Sequence, residues 1–588
     1  MSAANHGLPI ARDLGVMRGD RMGGTTARVS LFLFALLFGL PLVRGDDPAP
    51  GRSRDPATPP DLHIGPATPP GGAGPAAWVG PIHAAFDPDR ALEHVAFVDR
   101  FHREPGNPGF EAVLDRVIRT LRAAGFSEEG ERTLEIVETR ECEGWSPVRA
   151  RLTHLGEEGK GEDEVLLAFD ADDDRHRTML PTGARGGVVE GRVVFSTEAV
   201  EPGTILVTGE PMTMAAARAH RRGALAVLGI RLESYHQDPA GGDRHLDAIV
   251  YSRVRGSTPL PVGRISMRVH DRLRALATDG PVRVRWEAEV ARSPRKLRTV
   301  IATITGAIEP DRVVAIAGHV QEPGAVDNAS GVGGLLEAAV TVSALIEAGT
   351  LPRPARSVAF IWGNEMEQSR VYLDHLGREG STRTALAAIS ADMIGASRAA
   401  TGAWPLLERD PDPGAIELLP PDAHTPWGAA RVRRDSIRPN GLSLVARLAL
   451  RDVARAVGGW ETREHPYEGG SDHDIFLREG TPAILFWCFT DFAYHTSLDR
   501  LSHVDPVVMR RLATAIVATA WSLAHPGPED LPRYREALAL DRELRLGAAR
   551  GAEREELAAM WEEWFAGAAD WLERECRPPT SAAEPDDR

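Results

Sequence analysis

Cysteine is almost absent from this chain. Cys142, Cys488 and Cys576 are the only three in 588 residues. Three thiols permit at most one disulfide and leave one over. With no Cys-x-x-Cys pair, neither a disulfide scaffold nor a cysteine-ligated structural metal site is available. Cys488 lies within the apolar run Ile484-Leu-Phe-Trp-Cys-Phe and is expected as a buried free thiol. Positive charge is also short. The net charge is −16 and no dense Lys/Arg face stands out, which excludes nucleic acid as a partner. The acids are dispersed, as on a solubilising surface. A long membrane-spanning run is missing from the N-terminus: the uncharged stretch from Val29 to Val43 has 15 residues, where a span needs about 20.

That stretch follows Arg12, Arg18, Arg21 and Arg28 and precedes Val43-Arg-Gly45. A basic segment, a short apolar core and a small-residue end make a signal peptide over 1–45, with an uncleaved anchor as the alternative. The chain is therefore expected to be exported: secreted, periplasmic or tethered to the outer face of a membrane. From 46 to 80 it is rich in Pro, Gly and Ala, with Ala57-Thr-Pro-Pro recurring at Ala67; this reads as a disordered, semi-rigid spacer. The chain as a whole has 43% hydrophobic and 26% charged residues, as in soluble globular proteins, and its length of 588 residues suggests roughly three or four units.

What the chain does have is a series of apolar runs that end in metal-ligating side chains. Val313-Val-Ala-Ile-Ala-Gly leads to His319, and a Pro-Gly loop then leads to Asp327-Asn-Ala-Ser-Gly at a helix start. Ser357-Val-Ala-Phe-Ile-Trp-Gly-Asn leads to Glu365-Met366-Glu367. Leu386-Ala-Ala-Ile-Ser-Ala leads to Asp392-Met-Ile-Gly, and Ala483-Ile-Leu-Phe-Trp-Cys-Phe is followed by Tyr494-His495-Thr. Ligands of open α/β sheets gather outside the carboxyl ends of the strands. Four strand ends that each deliver His, Asp or Glu are the layout of a metal site on a sheet rim. Zinc accepts imidazole and carboxylate ligands and, in catalytic sites, keeps one position open for water. Two histidines and two or three carboxylates suffice for a pair of zinc ions about 3.5–4 Å apart.

Together with Gly470-Ser-Asp-His473-Asp-Ile-Phe and Asp499, these cassettes resemble the co-catalytic zinc aminopeptidases of the MH clan, a group that also holds glutamate carboxypeptidase-like enzymes and glutaminyl cyclases. The resemblance covers about 230 residues, from near Lys296 to near His525, with the motifs in order. It implies an α/β fold: a three-layer zinc-peptidase domain with a mixed central sheet flanked by helices. It further implies that His319 and Asp392 hold one zinc, that His495 and a glutamate hold the other, and that Asp327 bridges them. Glu365 would be the general base acting on a water whose pKa the metal lowers to about 7. Tyr494 and His473 would face the tetrahedral oxyanion, although Ser471-Asp-His473 is also read as a brace beneath the site.

The chain departs from that pattern. The usual His-x-Asp is His319-Val-Gln321, with Glu322 as a substitute brace for the histidine. The usual Glu-Glu pair is Glu365-Met366-Glu367, and Gln368 replaces a customary Gly. One zinc site is therefore complete in the sequence. The second lacks an assigned carboxylate, and Glu367 is the nearest candidate because residues 365 and 367 share a face if the segment is extended.

Residues 81–160 resemble the helical lead-in of such domains, through Arg90-Ala-Leu-Glu-His and Leu121-Arg-Ala-Ala-Gly, and 291–525 hold the catalytic motifs. Between them, 161–290 is a smaller β-rich α/β insert whose order of strands and helix resembles a protease-associated domain. Its histidines, His236 and His245 among them, lack ligand spacing and are assigned to the surface. Residues 526–588 form a helical extension, with Leu538, Leu540, Leu544, Leu546, Leu557, Trp561 and Trp564 as its apolar face. The sequence thus points to a metallopeptidase that acts on a peptide or protein, most simply an aminopeptidase. A glutaminyl-cyclase-like acyltransferase and a non-catalytic peptide-binding homologue are the alternatives. Nothing in the sequence sets the oligomeric state or the substrate side chain.

Overall fold

The computed structural model describes residues 72–156, 162–170, 176–255, 258–416, 432–552 and 554–579. The signal-peptide or anchor reading, and most of the spacer reading, lie outside these residues. The end of the spacer is corrected: a helix over Pro75–Ala85 begins inside it. Pro75, Val79 and Ile82 are buried there, so this segment has enough apolar surface to pack.

A mixed eight-stranded sheet forms the centre of the catalytic half. Its strand order is Arg132–Cys142, Arg295–Ile304, Arg356–Trp362, Glu309–Ala317, Thr384–Ala391, Ala483–Phe489, Trp404–Glu408 and Arg463–His465. The four strands from Arg356–Trp362 to Ala483–Phe489 are parallel, so their carboxyl ends share one rim. Residues alternate across the sheet as a strand requires. Val314 and Ile316 join the large core on one face. Val313, Ala315 and Ala317 join a smaller one on the other face, with Tyr372, Leu376 and Phe476.

Helices Ala329–Glu347 and Pro506–Ala524 lie in the large core. Both are long and apolar enough to cross a membrane, with mean hydropathy 1.6 and 1.3, but 83% of each apolar window is buried inside the protein. Helices Glu367–Leu376 and His473–Arg478 cover the opposite face. Helices Asp530–Gly551 and Glu555–Glu575 pack on each other and onto the large core through Leu538, Leu546, Trp561, Trp564 and Leu572. The three cysteines are buried and unpaired.

A second, seven-stranded sheet has its own core and two helices, Met212–Arg221 and Met267–Asp279. It starts earlier than the sequence suggests. Trp145–His154 belongs to this sheet rather than to the catalytic one, because it pairs antiparallel with Arg283–Arg292. The two sheets are joined by one ribbon: Cys142 pairs with Arg295 in the first, and Trp145 pairs with Arg292 in the second. Gly144 makes the crossing at φ 56°, and a Cβ there would strike the Ser293 carbonyl.

Candidate metal centre and active site

His319 and Asp392 are delivered by backbone pairing that continues past a strand end. The Gly318 amide donates to the Ile361 carbonyl (3.0 Å) and the Val320 amide to Gly363 (2.7 Å), which fixes His319 between them. The Asp392 amide donates to Phe486 (3.1 Å). Asn328, at the start of helix Ala329–Glu347, ties two acidic loops together. Its Oδ1 accepts from the Gly331 amide (3.0 Å) and the Met393 amide (2.9 Å), and its Nδ2 donates to the Ala391 carbonyl (3.1 Å). Asp327 is held by Asp499, whose carboxylate accepts from the Val326 (2.7 Å) and Asp327 (2.9 Å) amides. A side chain at Gly324 would run into the Asp499 carboxylate, so the loop closes there only without one.

The result is two adjoining clusters. In the first, His319 Nε2 lies 3.2 Å from Asp392 Oδ2 and 4.0 Å from both Asp327 Oδ1 and Glu365 Oε1. His319 Nδ1 is 3.0 Å from the Gln321 carbonyl. Only an N–H suits that contact, so Nε2 is the ring nitrogen left to face the acids, where it can carry a proton or meet a metal. In the second, His495 Nε2 lies 2.8 Å from Glu322 Oε2 and 3.0 Å from Asp327 Oδ2. Asp327 thus reaches both clusters, one oxygen to each.

The buried atoms His319 Nε2 and Asp392 Oδ1 make no hydrogen bond. Unpaired buried polar atoms are costly unless something else satisfies them. An all-nitrogen-and-oxygen set of two imidazoles and several carboxylates is a donor set that zinc accepts. Glu322, Asp327, Glu365 and Asp392 line one cleft with His495, and their charges exceed what two imidazoles can balance. The protonation equilibria reflect that crowding. Burial and the neighbouring Glu322 push Asp327 well up. Burial also raises Glu365, against the pull of His319, with Glu322 and Asp392 adding repulsion. Burial works against a charged His319 and a charged His495, but the surrounding acids override it and raise both. A bound dication would replace those protons.

The structure brings His319, Asp327, Asp392, His495 and Glu365 together and puts Tyr494 in the same cleft, its ring stacked on His495 at 3.8 Å. It does not bring Glu367. The strand ends at Trp362, residues 363–366 turn, and Glu367 opens a helix, so the alternation that would align it with Glu365 has already ended. Its carboxylate pairs with Arg140 (2.7 and 2.8 Å) and accepts from Asn364 (3.0 Å). The vacant corner is filled by Glu322, a residue read from sequence as a brace. A left-handed backbone at φ 86° turns its side chain to His495 instead of His319. The one sequence signal for it was its place in the Pro-Gly loop between His319 and Asp327.

His473 is also displaced from its expected role. It is fully buried and absent from the cleft lining. Its Nε2 pairs at 2.9 Å with Glu408, which accepts from the Glu468 (3.0 Å) and Gly469 (2.8 Å) amides. Gly469 and Gly470 line the cleft, so His473 supports its floor from beneath. Neighbouring Ser471 donates to Asp392 (2.9 Å), while Asp472 accepts from the Met366 amide (2.8 Å), Ser369 (2.7 Å) and Gln368 (2.6 Å). Gln321 and Gln368, where the family pattern differs, both have work here. Gln321 Oε1 accepts from the Glu365 amide (2.7 Å) and its Nε2 donates to Glu365 Oε2 (3.2 Å), holding that residue by its backbone and by one carboxylate oxygen.

Residues 299–520 match the family model of Peptidase family M28. The chain is 26% identical over 454 residues to the "Probable lipoprotein aminopeptidase LpqL" of Mycobacterium tuberculosis, covering 70% of this chain and 79% of that one. The Peptidase M28 precursor from Shewanella amazonensis SB2B superposes with a TM-score of 0.50 at 17% identity, over 76% of this chain and 95% of that one, and shows the same fold. A zinc aminopeptidase from Bacillus subtilis gives 0.46 at 16% identity, over 75% and 96% of the two chains.

Proposed function

We propose, from the match of residues 299–520 to Peptidase family M28, that the protein is a zinc-dependent aminopeptidase that removes N-terminal residues from peptides. The observation that carries this reading is Asp327 standing between the His319–Asp392 and Glu322–His495 clusters. His319, Asp392 and Asp327 would hold one zinc ion, and His495, Glu322 and Asp327 a second. When bound, such a pair polarises the scissile carbonyl and acidifies the attacking water.

The chain's own residues do the rest. Glu365, 20% exposed at the cleft and held by Gln321, takes the proton of the attacking water at its carboxylate and passes it to the leaving amine. Positioned acid–base help of this kind is worth roughly 10²–10⁴ in rate. Tyr494 lines the cleft, and burial together with Asp327, Glu322 and Asp392 keeps its phenol protonated, as a donor to the carbonyl oxygen must be. Met393, Leu485 and Trp487 wall the cleft beside these groups.

The deciding experiment is zinc counting on the purified protein together with hydrolysis of aminoacyl-anilides, before and after chelation. About two zinc ions and chelator-sensitive release of the anilide support the reading. Release of ammonia from an N-terminal glutamine without hydrolysis would assign a cyclase instead, and a zinc-free, inactive protein would make it a binding homologue. Export belongs to the same proposal, supported by the basic and apolar N-terminal segment and by the lipoprotein named among the relatives. Cell fractionation tests it.

A further inference from the structure

Glu322 and His495 meet at 2.8 Å although they come from loops far apart in sequence, and each has a left-handed backbone, at φ 86° and φ 54°. Side chains other than glycine hold such conformations only where the surroundings enforce them. Both loops lead back to one dipeptide, Arg103-Glu104.

Arg103 is fully buried, and its guanidinium donates to the carbonyls of Val320 (2.8 Å) and Gly324 (2.7 Å) on either side of Glu322, with Pro323 at 3.4 Å. Its own carbonyl accepts from the Glu322 amide at 3.1 Å. Glu104 faces the other way. Its carboxylate accepts from the Tyr251 hydroxyl (2.6 Å) and from Thr182 (2.5 Å), and Arg253 lies 3.3 Å away. Tyr251 belongs to the inserted second domain. Its amide donates to the His495 carbonyl at 2.6 Å, and Val250 bridges Thr496. Ile249 exchanges bonds with Ser497 at 2.9 and 3.1 Å. His236, which the sequence consigned to the surface, is buried with Nε2 at 2.9 Å from the Tyr494 carbonyl.

We propose that Arg103, Glu104 and Tyr251 are positioning residues for the second metal half-site, so that the inserted domain is a working part of the active site rather than an appendage. Arg103 sets the Glu322 loop, Glu104 anchors Tyr251, and Tyr251 sets His495. This rests on the two-metal reading above.

The test uses the full chain with Tyr251→Phe, which removes one hydroxyl, and Glu104→Gln. Residues that orient metal ligands typically change metal affinity by 10–100-fold. Competition with a chelator should therefore show one zinc held about 10–100-fold more weakly in both variants, with the other unchanged. A second measurement needs no metal. In metal-free protein with labelled histidine, the His495 ring signals should shift in Tyr251→Phe while those of His319 stay in place. Unchanged affinity of both metals together with unmoved His495 signals in the folded variants would overturn the inference. Fewer than two zinc ions on the wild type would overturn the two-metal reading instead, and the His495 signals would still decide the positioning role.

Discussion

Replacing Glu322 by glutamine examines the least expected part of the site. The substitution keeps size and shape and removes one charge from a cluster that, among the described residues, it shares with Asp327 and His495. Zinc in a catalytic site takes three protein ligands and leaves one position open. Glu322→Gln leaves two charged or strongly basic donors, one of them shared with the neighbouring cluster. Groups that merely orient a ligand are worth 10–100-fold in metal affinity, so loss of a direct ligand should cost at least about 100-fold, or ~2.8 kcal/mol at 1.4 kcal/mol per tenfold. The first cluster retains His319, Asp392 and Asp327. Dialysis against graded chelator, followed by metal analysis, should therefore show one zinc leaving early and one leaving at the wild-type concentration. Two companions sharpen the result. Glu367→Ala breaks an ion pair with half-exposed Arg140, so it should cost less than about 1 kcal/mol of stability and no metal. Met366→Glu should gain no metal, because the corner it would fill is already occupied. Wild-type zinc affinity in Glu322→Gln, or a zinc lost from Glu367→Ala, would refute the assignment.

Glu365→Gln should retain its zinc while losing at least about two orders of magnitude in turnover; a lost metal would move Glu365 into the ligand set. His473→Ala leaves the buried Glu408 without its imidazole and should destabilise the fold by roughly 3–5 kcal/mol, read as a lower melting temperature, while folded protein keeps kcat within about tenfold, since His473 does not reach the cleft. Zinc added to metal-free protein at neutral pH should release protons, because Asp327 and both imidazoles have raised affinities for protons that the metal must displace. Calorimetry in two buffers of different ionisation enthalpy reads the sign, and proton uptake would contradict the ligand assignment.

The rim of the catalytic sheet was legible because its strands declare themselves. Val313 to Ala317 and Ala483 to Phe489 are buried on both faces and read as continuous apolar runs, and the residue that follows each has to emerge at the carboxyl edge. Where the reading failed, periodicity had been carried past the element that generates it. Glu367 was aligned with Glu365 by strand alternation that stops at Trp362. His473 lies on a short helix whose inner face is buried, and a motif match does not reveal which way that face points. Glu322 depends on a backbone conformation that nothing in its own chemistry predicts, enforced by Arg103 more than 200 positions earlier. The insert boundary was missed because the ribbon around Gly144 carries one unbroken β-pattern through two sheets.

That ribbon also bears on the order in which the chain folds. Strands Arg132–Cys142 and Arg295–Ile304 are neighbours, yet some 150 residues separate Cys142 from its partner Arg295. Joining them across an unstructured loop of that length costs about 2 kcal/mol more than closing a ten-residue hairpin, at ~0.6 kcal/mol per doubling. The insert brings its own ends together through the Trp145–Arg292 pairing and has a separate core. Once it has formed, the long loop becomes kinetically a tight turn. Mutations that unsettle the insert core, at Trp286 for example, should then slow assembly of the peptidase sheet itself, although they touch none of its strands.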